Sequence, residues 1–153
     1  MYQGITLNPQ VVRFDDLVFE DATSVEVDRT AARLAEDWSD LGPHAGFVDV
    51  PELRTVVRIT RRLGPDGPGS VPGPLPGRLG ELTFYTSPTW SDAGQKRVRI
   101  RCVVTQVVHR LRPPTGRSTA RTDPAPEQII TLIGESSDGA QDPITVDDPP
   151  LTV

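Results

Sequence analysis

Two histidines, one cysteine and a few adjacent carboxylates are the residues of this chain whose chemistry could go beyond packing. His44 follows a Gly-Pro turn and His109 shares a row with arginines. Neither has a partner at the spacing of a metal-ligand pair or a nucleophile–base–acid set, so both read as ordinary exposed or hydrogen-bonded histidines. The pairs Asp15-Asp16, Glu36-Asp37 and Asp147-Asp148 fall in a tight turn, an ambiguous segment and a polar tail. These are places for solvated carboxylates more than for a paired acid and base. Asp138-Gly139 and Asp142-Pro143 resemble a fragment of a calcium loop without its oxygen ligands at every second position. The glycines of residues 64–80 lack the Lys-Ser/Thr pair and the following helix of a phosphate loop. Cys102 stands alone, which excludes an intramolecular disulfide and every multi-cysteine metal motif, and its place on an apolar row makes it a buried small hydrophobe. The sequence thus predicts no catalytic residue, no metal site and no cofactor: a protein that is not an enzyme.

What remains is arginine, which supplies 15 of the 16 basic residues; Lys96 is the only lysine. The arginines recur at alternate positions of two stretches. In the first, Lys96 to Leu111, a period of two puts Val98, Ile100, Cys102, Val104 and Val108 on one face and Arg97, Arg99, Arg101, Thr105 and His109 on the other. In the second, Leu53 to Leu63, it sets Leu53, Val57, Ile59 and Leu63 against Arg54, Val56, Arg58, Thr60 and Arg62. Both read as half-buried strands of an antiparallel sheet with an apolar inner face. The arginine face then meets water, acidic groups or a partner subunit, and Arg54, Arg58, Arg97, Arg99 and Arg101 are the candidate inter-subunit contacts. A stacking platform for single-stranded nucleic acid is not supported, because no aromatics interleave with these rows.

The remaining elements must frame those two strands. Val11 to Val27 predicts a hairpin and its continuation, three short strands with Val12 and Phe14, a tight Asp15-Asp16 turn, Val18 or Leu17 with Phe19, and then alternating Val25 and Val27. Asp28 to Asp40 is compatible with a short helix, whose stripe would be Ala31, Leu34, Ala35 and Trp38, or with a continuation of the preceding strand through a bulge. Phe47 to Pro51 is a short extended piece that Pro51 keeps out of a central ladder. Further strands are predicted at Glu81 to Thr86 and Gln128 to Ile133, with an exposed Trp90 in the turn between 87 and 94. The chain is one domain over residues 1–153, with an N-terminal arm at 1–10, long loops at 64–80 and 113–127, and a C-terminal tail at 143–153. The predicted fold class is mainly β: an antiparallel sandwich or barrel of about seven strands with at most one or two short helices.

A net charge of −5 disfavours indiscriminate binding to duplex nucleic acid or an anionic membrane. No apolar run approaches the ~20 residues of a membrane span, and the first ten residues lack a signal-peptide pattern, so a soluble protein made in a cytoplasm is expected.

With those elements in place, the ordered text VRFDDLVFEDATSVEV, WSDLGPHAGFVDVPELRTVVRITRRL, SDAGQKRVRIRCVVTQVVHRL and ITLIGESSDGAQDPITV resembles the tail tube proteins of tailed bacteriophages, particularly those of contractile or related phage-derived tails. The resemblance spans most of the chain and lies in layout more than in a signature motif; the Pro/Gly loop at 64–80 is longer than that layout leads one to expect. It implies a virion protein, assembled in the host cytoplasm, that forms hexameric rings stacking into a hollow tube through which DNA passes without specific binding. Sheath, baseplate and terminator proteins are its implied neighbours. A tube terminator or baseplate initiator ring is the alternative within this class, and a nucleic-acid-binding β-barrel module is the alternative outside it. No catalytic residue is carried over.

Overall fold

The computed structural model describes residues 10–19, 22–62, 73–86, 95–110 and 126–148. They form eight strands: β1 (Gln10–Phe14), β2 (Leu17–Phe19), β3 (Ala22–Trp38), β4 (Ala45–Arg62), β5 (Leu79–Tyr85), β6 (Arg97–Arg110), β7 (Glu127–Gly134) and β8 (Ile144–Asp147). All pairings are antiparallel, in the order β2-β1-β5-β6-β7-β4-β3, with β8 added beside β6. The chain is therefore mainly β, as its alternating patterns predict. The sheet is open and does not close into a barrel; its eight strands agree with the expected count of about seven, and the described residues contain no helix. The N-terminal arm through residue 9, Leu63, most of the 64–80 loop, the turn bearing Trp90, the 113–127 loop through residue 125 and the tail from residue 149 lie outside the described residues.

Strand β6 is the organising element. Its first half pairs with β5 on one side, from Arg97↔Tyr85 to Val103↔Leu79, and its other side is shared by β8 over Arg97–Ile100 and β7 over Cys102–Arg110. β7 and β8 run in the same direction beside β6, so they act as one strand interrupted by an excursion through residues 135–143. Gly134 permits that departure: a Cβ there would sit 3.0 Å from the Pro143 ring and 3.1 Å from Thr55 Cβ. On the inner face Val98, Ile100, Cys102 and Val104 are buried among Val12, Phe14, Phe19, Val25, Val57, Ile59, Leu82, Phe84, Ile130 and Leu132. At roughly 1.5–3 kcal/mol for each fully buried aliphatic or aromatic side chain, this one cluster is the main favourable contribution to folding.

Two inward assignments are corrected, and two buried residues are added. Val108 was expected on the buried face, but the register shifts between Val104 and Gln106, and one extra residue inverts the alternation beyond it. Val107 packs against the core instead, and Val108 is 37% exposed. Leu53 has the right parity but lies past the end of β7, whose pairing with β4 stops at Val56↔Ile133, so nothing covers it and it is 75% exposed. Thr55 and Arg61 take buried places on that face, which the arginine-outward reading of β4 left out. The Arg61 guanidinium lies 4.6 Å from the Phe19 ring centre and donates to Gln128 Oε1 at 3.0 Å, which is how a charged group is accommodated there.

Of the segment 28–40, residues 28–38 are strand, not helix: β3 continues through them, paired with β4 along almost their whole length, and ends at Trp38. Helix propensity yields here to a partner strand of matching length. The tail assignment is also revised, since Ile144–Asp147 forms β8. The Asp15-Asp16 turn is as expected. Asp15 adopts φ 52°, a left-handed conformation that Asp tolerates, and its carboxylate accepts the Glu81 N–H at 2.8 Å, which ties the β1–β2 turn to β5.

Two outcomes follow from this core. Ile100→Asp places an unpaired carboxylate among fully buried side chains, at a cost on the order of 5 kcal/mol, so the variant should be unfolded by circular dichroism at 25 °C. Burial pushes the Cys102 thiol up to about 12, with a backbone hydrogen bond at Leu82 opposing the shift. Its thiolate population near neutral pH is then about a thousandfold below that of a free thiol, so alkylation should be negligible in the native protein and complete in denaturant; fast native labelling would contradict a closed core.

Candidate assembly surface

Among the described residues no group of three or more His, Cys, Asp or Glu side chains is placed to hold a metal ion, and no helix is long and apolar enough to cross a membrane. His109 is exposed at the end of β6 with its Nε2 3.1 Å from Gln128 Nε2. Since Arg61 can only donate to Gln128 Oε1, the Gln128 amide must donate to the histidine. The calcium-loop fragment is self-satisfied: Asp138 Oδ1 accepts the N–H groups of Ala140 and Gln141 at 2.9 Å each, and these bonds, that of Gln141 first, hold its carboxyl below the ordinary range.

The arginine rows are engaged within the protomer. Arg97 forms a two-pronged pair with Asp147 of β8 at 3.0 and 2.9 Å, and Arg99 reaches the same carboxylate at 2.9 Å. Lys96 pairs with Asp148, Arg101 approaches Glu135 at 3.9 Å, and Arg58 approaches Glu26 at 3.5 Å. β8 is thus fastened to β6 by charge as well as by its ladder. Of the five candidate contact arginines only Arg54 has no ion-pair partner among the described residues. The sequence showed the row but not its partners, because Asp147 is fifty residues away along the chain from Arg97.

What the structure exposes instead is the far half of the β3–β4 hairpin. Beyond Val56 no described strand lies beside this pair, which continues as a two-stranded arm. Register pairs Glu36 with Val48 and Asp37 with Phe47. Alternation therefore sets Leu34, Glu36, Trp38, Val48 and Val50 on one face, and Ala35, Asp37, Phe47 and Asp49 on the other. Trp38 Nε1 donates to Glu36 Oε2 at 3.2 Å along the first of these faces. Leu34, Trp38, Phe47, Val48 and Val50 are all exposed, and Leu41 at the tip is 96% exposed. A two-stranded ribbon is marginal in water by itself, so an arm this apolar points to contacts beyond the protomer. Phe47 to Pro51 is not a separate piece but part of β4, and Pro51 lies at an unpaired position within the register irregularity between Arg33 and Ala35. The helical stripe of Ala31, Leu34, Ala35 and Trp38 concealed this feature. The signal that points to it is the matching length of the two alternating stretches on either side of Leu41-Gly42-Pro43.

At the root of the arm lies a groove of about 720 Å³, between Arg29 and Ala32 of β3, Val50 to Thr55 of β4, Ile133 and Gly134 of β7, and the 136–143 excursion. Arg29 closes one side through a 2.7 Å pair with Asp142. Glu52 faces Arg33 at 3.8 Å, which leaves Arg54 as the uncompensated charge of the lining.

Finally, the strand order ends in two edge strands, the three-residue β2 and the seventeen-residue β3, whose outer sides pair with no described strand. With this geometry in hand, comparison with known proteins adds no assignment: no family model matches the chain and no curated protein matches it.

The Asp147 carboxyl is held below its ordinary range, first by its hydrogen bonds with Arg97 and then by the positive charge of Arg97 and Arg99. A depressed folded-state value means stability that is fully present above the unfolded aspartate value near ~4 and is lost as pH falls through the lower folded value. Thermal unfolding between pH 2 and pH 7 should therefore show Asp147→Asn with a lower melting temperature at neutral pH and a shallower loss in acid. An unchanged acid limb would mean that Asp147 does not fasten β8.

Proposed function

We propose that this chain is a structural subunit that assembles with copies of itself into rings, and that those rings stack as the tail tube of a phage or phage-derived particle. The observation that carries the reading is the open sheet. Its β3 edge is long and pairs with no described strand, its β2 edge is short, and an unpaired strand edge is a template for another strand. The two edges differ in length and sequence, so joining unlike edges is a heterologous contact, which closes into a ring or continues as a filament instead of stopping at a dimer. Hexameric closure and stacking come from the resemblance of the sequence to tail tube proteins. The net charge of −5 suits a lumen that lets DNA slide, because it lacks the counterion-release attraction of a basic lining. The arginine rows are largely neutralised within the protomer, which weighs against a DNA-binding barrel.

Negative-stain electron microscopy across a concentration series tests the reading. Stacked rings or hollow tubes are expected; isolated rings would instead assign a terminator or initiator, and monomers at every concentration would overturn self-assembly. Val18→Lys on β2 and Thr30→Lys on β3 place charge beside the two edges at exposed positions. Each should leave circular dichroism and melting within about 0.5 kcal/mol of the parent while abolishing ring closure. Rings formed by both variants would exclude strand continuation as the joint.

A further inference from the structure

We infer that the groove at the root of the arm is the receptor for the tip of the arm of a second copy, so that copies connect tip to root. The inference rests on the self-assembly reading and names one of its contacts. The groove and the tip match in chemistry. The arm from Leu34 to Leu53 carries five carboxylates and neither lysine nor arginine. Its turn presents Asp40 beside Leu41, the most exposed large apolar side chain of the described residues. The groove offers the complement: Leu53 and Ile133 among its apolar lining, and Arg54 without a carboxylate of its own. An apolar side chain entering this groove leaves water at both ends, and an adjacent carboxylate finds a guanidinium that has no ion-pair partner among the described residues.

A chain cannot satisfy its own groove. The strands between root and tip are extended, so at 3.2–3.4 Å per residue the tip stands roughly 25 Å from the groove that its own root lines. The contact is therefore between copies. Since tip and root are different surfaces, it is heterologous, and each copy gives one tip and receives one. The volume of the groove, about 720 Å³, falls within the range that admits a compact guest such as a turn with one or two inserted side chains.

The buried Cys102 makes a direct test practical, since an introduced surface cysteine is the reactive thiol. Leu41→Cys and Ala140→Cys lie at exposed positions on the tip and the groove rim and spare the core. Full-length chains bearing one substitution each and different affinity tags are mixed, allowed to assemble and oxidised gently. The mixed disulfide should form at least about tenfold more than between Leu41→Cys and a control Val18→Cys chain. Arg54→Glu should reduce it by about tenfold, and Asp40→Arg in the tip-bearing chain should restore it. Rings or tubes without preferential cross-linking would overturn tip-to-root docking and leave the self-assembly reading standing. Cross-linked chains that never progress to rings would support docking and overturn the ring. Absence of both assembly and cross-link would overturn docking together with the reading on which it rests.

Discussion

The structure depends on the two ladders of β6. A strand through the middle of a sheet must satisfy backbone groups along both edges, and an unpaired buried N–H or C=O costs about as much as a lost hydrogen bond. β5 and the turn before it supply one side as far as Val104. The other is supplied twice, by β7 and then, after a detour, by β8. Glu135 N–H donates to Arg101 O at 2.8 Å where the detour begins, so the ladder is bridged between the two strands. The ion pairs of Arg97 and Arg99 with Asp147 then hold β8 where the ladder is shortest. These pairs are part-exposed and gain modestly from Coulomb attraction. Their importance lies in position, since they close the one stretch of β6 that β7 does not reach.

From that centre the apolar content falls off along the strands. Near β6 the inner face is closed by fully buried Ile100, Ile59, Ile130, Leu82 and Phe84. Along β3 and β4 the sheet outlasts its core, and the same alternation that buries Val25 and Val57 later exposes Trp38, Val48 and Leu53. The protomer is thus two regimes in one sheet: a half with its own hydrophobic cluster, and a ribbon whose apolar surface the protomer does not bury. Folding energetics account for the first. The second is left uncovered by the described residues, and the proposed self-assembly rests on it, on the edges and on the groove rather than on a cleft with convergent polar groups.

The groove joins the two regimes. It exists because the sheet leaves β7 at Gly134, where a side chain would collide with Pro143 and Thr55, and because the excursion returns as β8 after folding over the arm root. Asp138 organises that excursion by accepting two backbone N–H groups, and Asp142 anchors it to Arg29. The carboxylates that look like ligands in the sequence thus shape the loop that makes the groove.

Much of the fold was legible in the sequence. Period-two alternation of Val98 to Val104 and of Val57 and Ile59 determined the strands, their inner faces and the antiparallel all-β class, because a half-buried strand must alternate. The lone buried cysteine and the Asp15-Asp16 turn were legible for equally local reasons. Only the tertiary structure decided the rest. Whether residues 28–40 formed helix or strand depended on whether a partner lay alongside, and β4 did. Val108 depended on a bulge, which a pattern of residue types does not reveal. Leu53 has the pattern of a core residue and is exposed because β7 ends before reaching it. The arginines were visible, but their carboxylates come from β8 and from the 135–143 excursion, which only the register brings alongside β6. Local alternation is written in one strand; burial, ion pairing and free edges are properties of which strands lie next to each other.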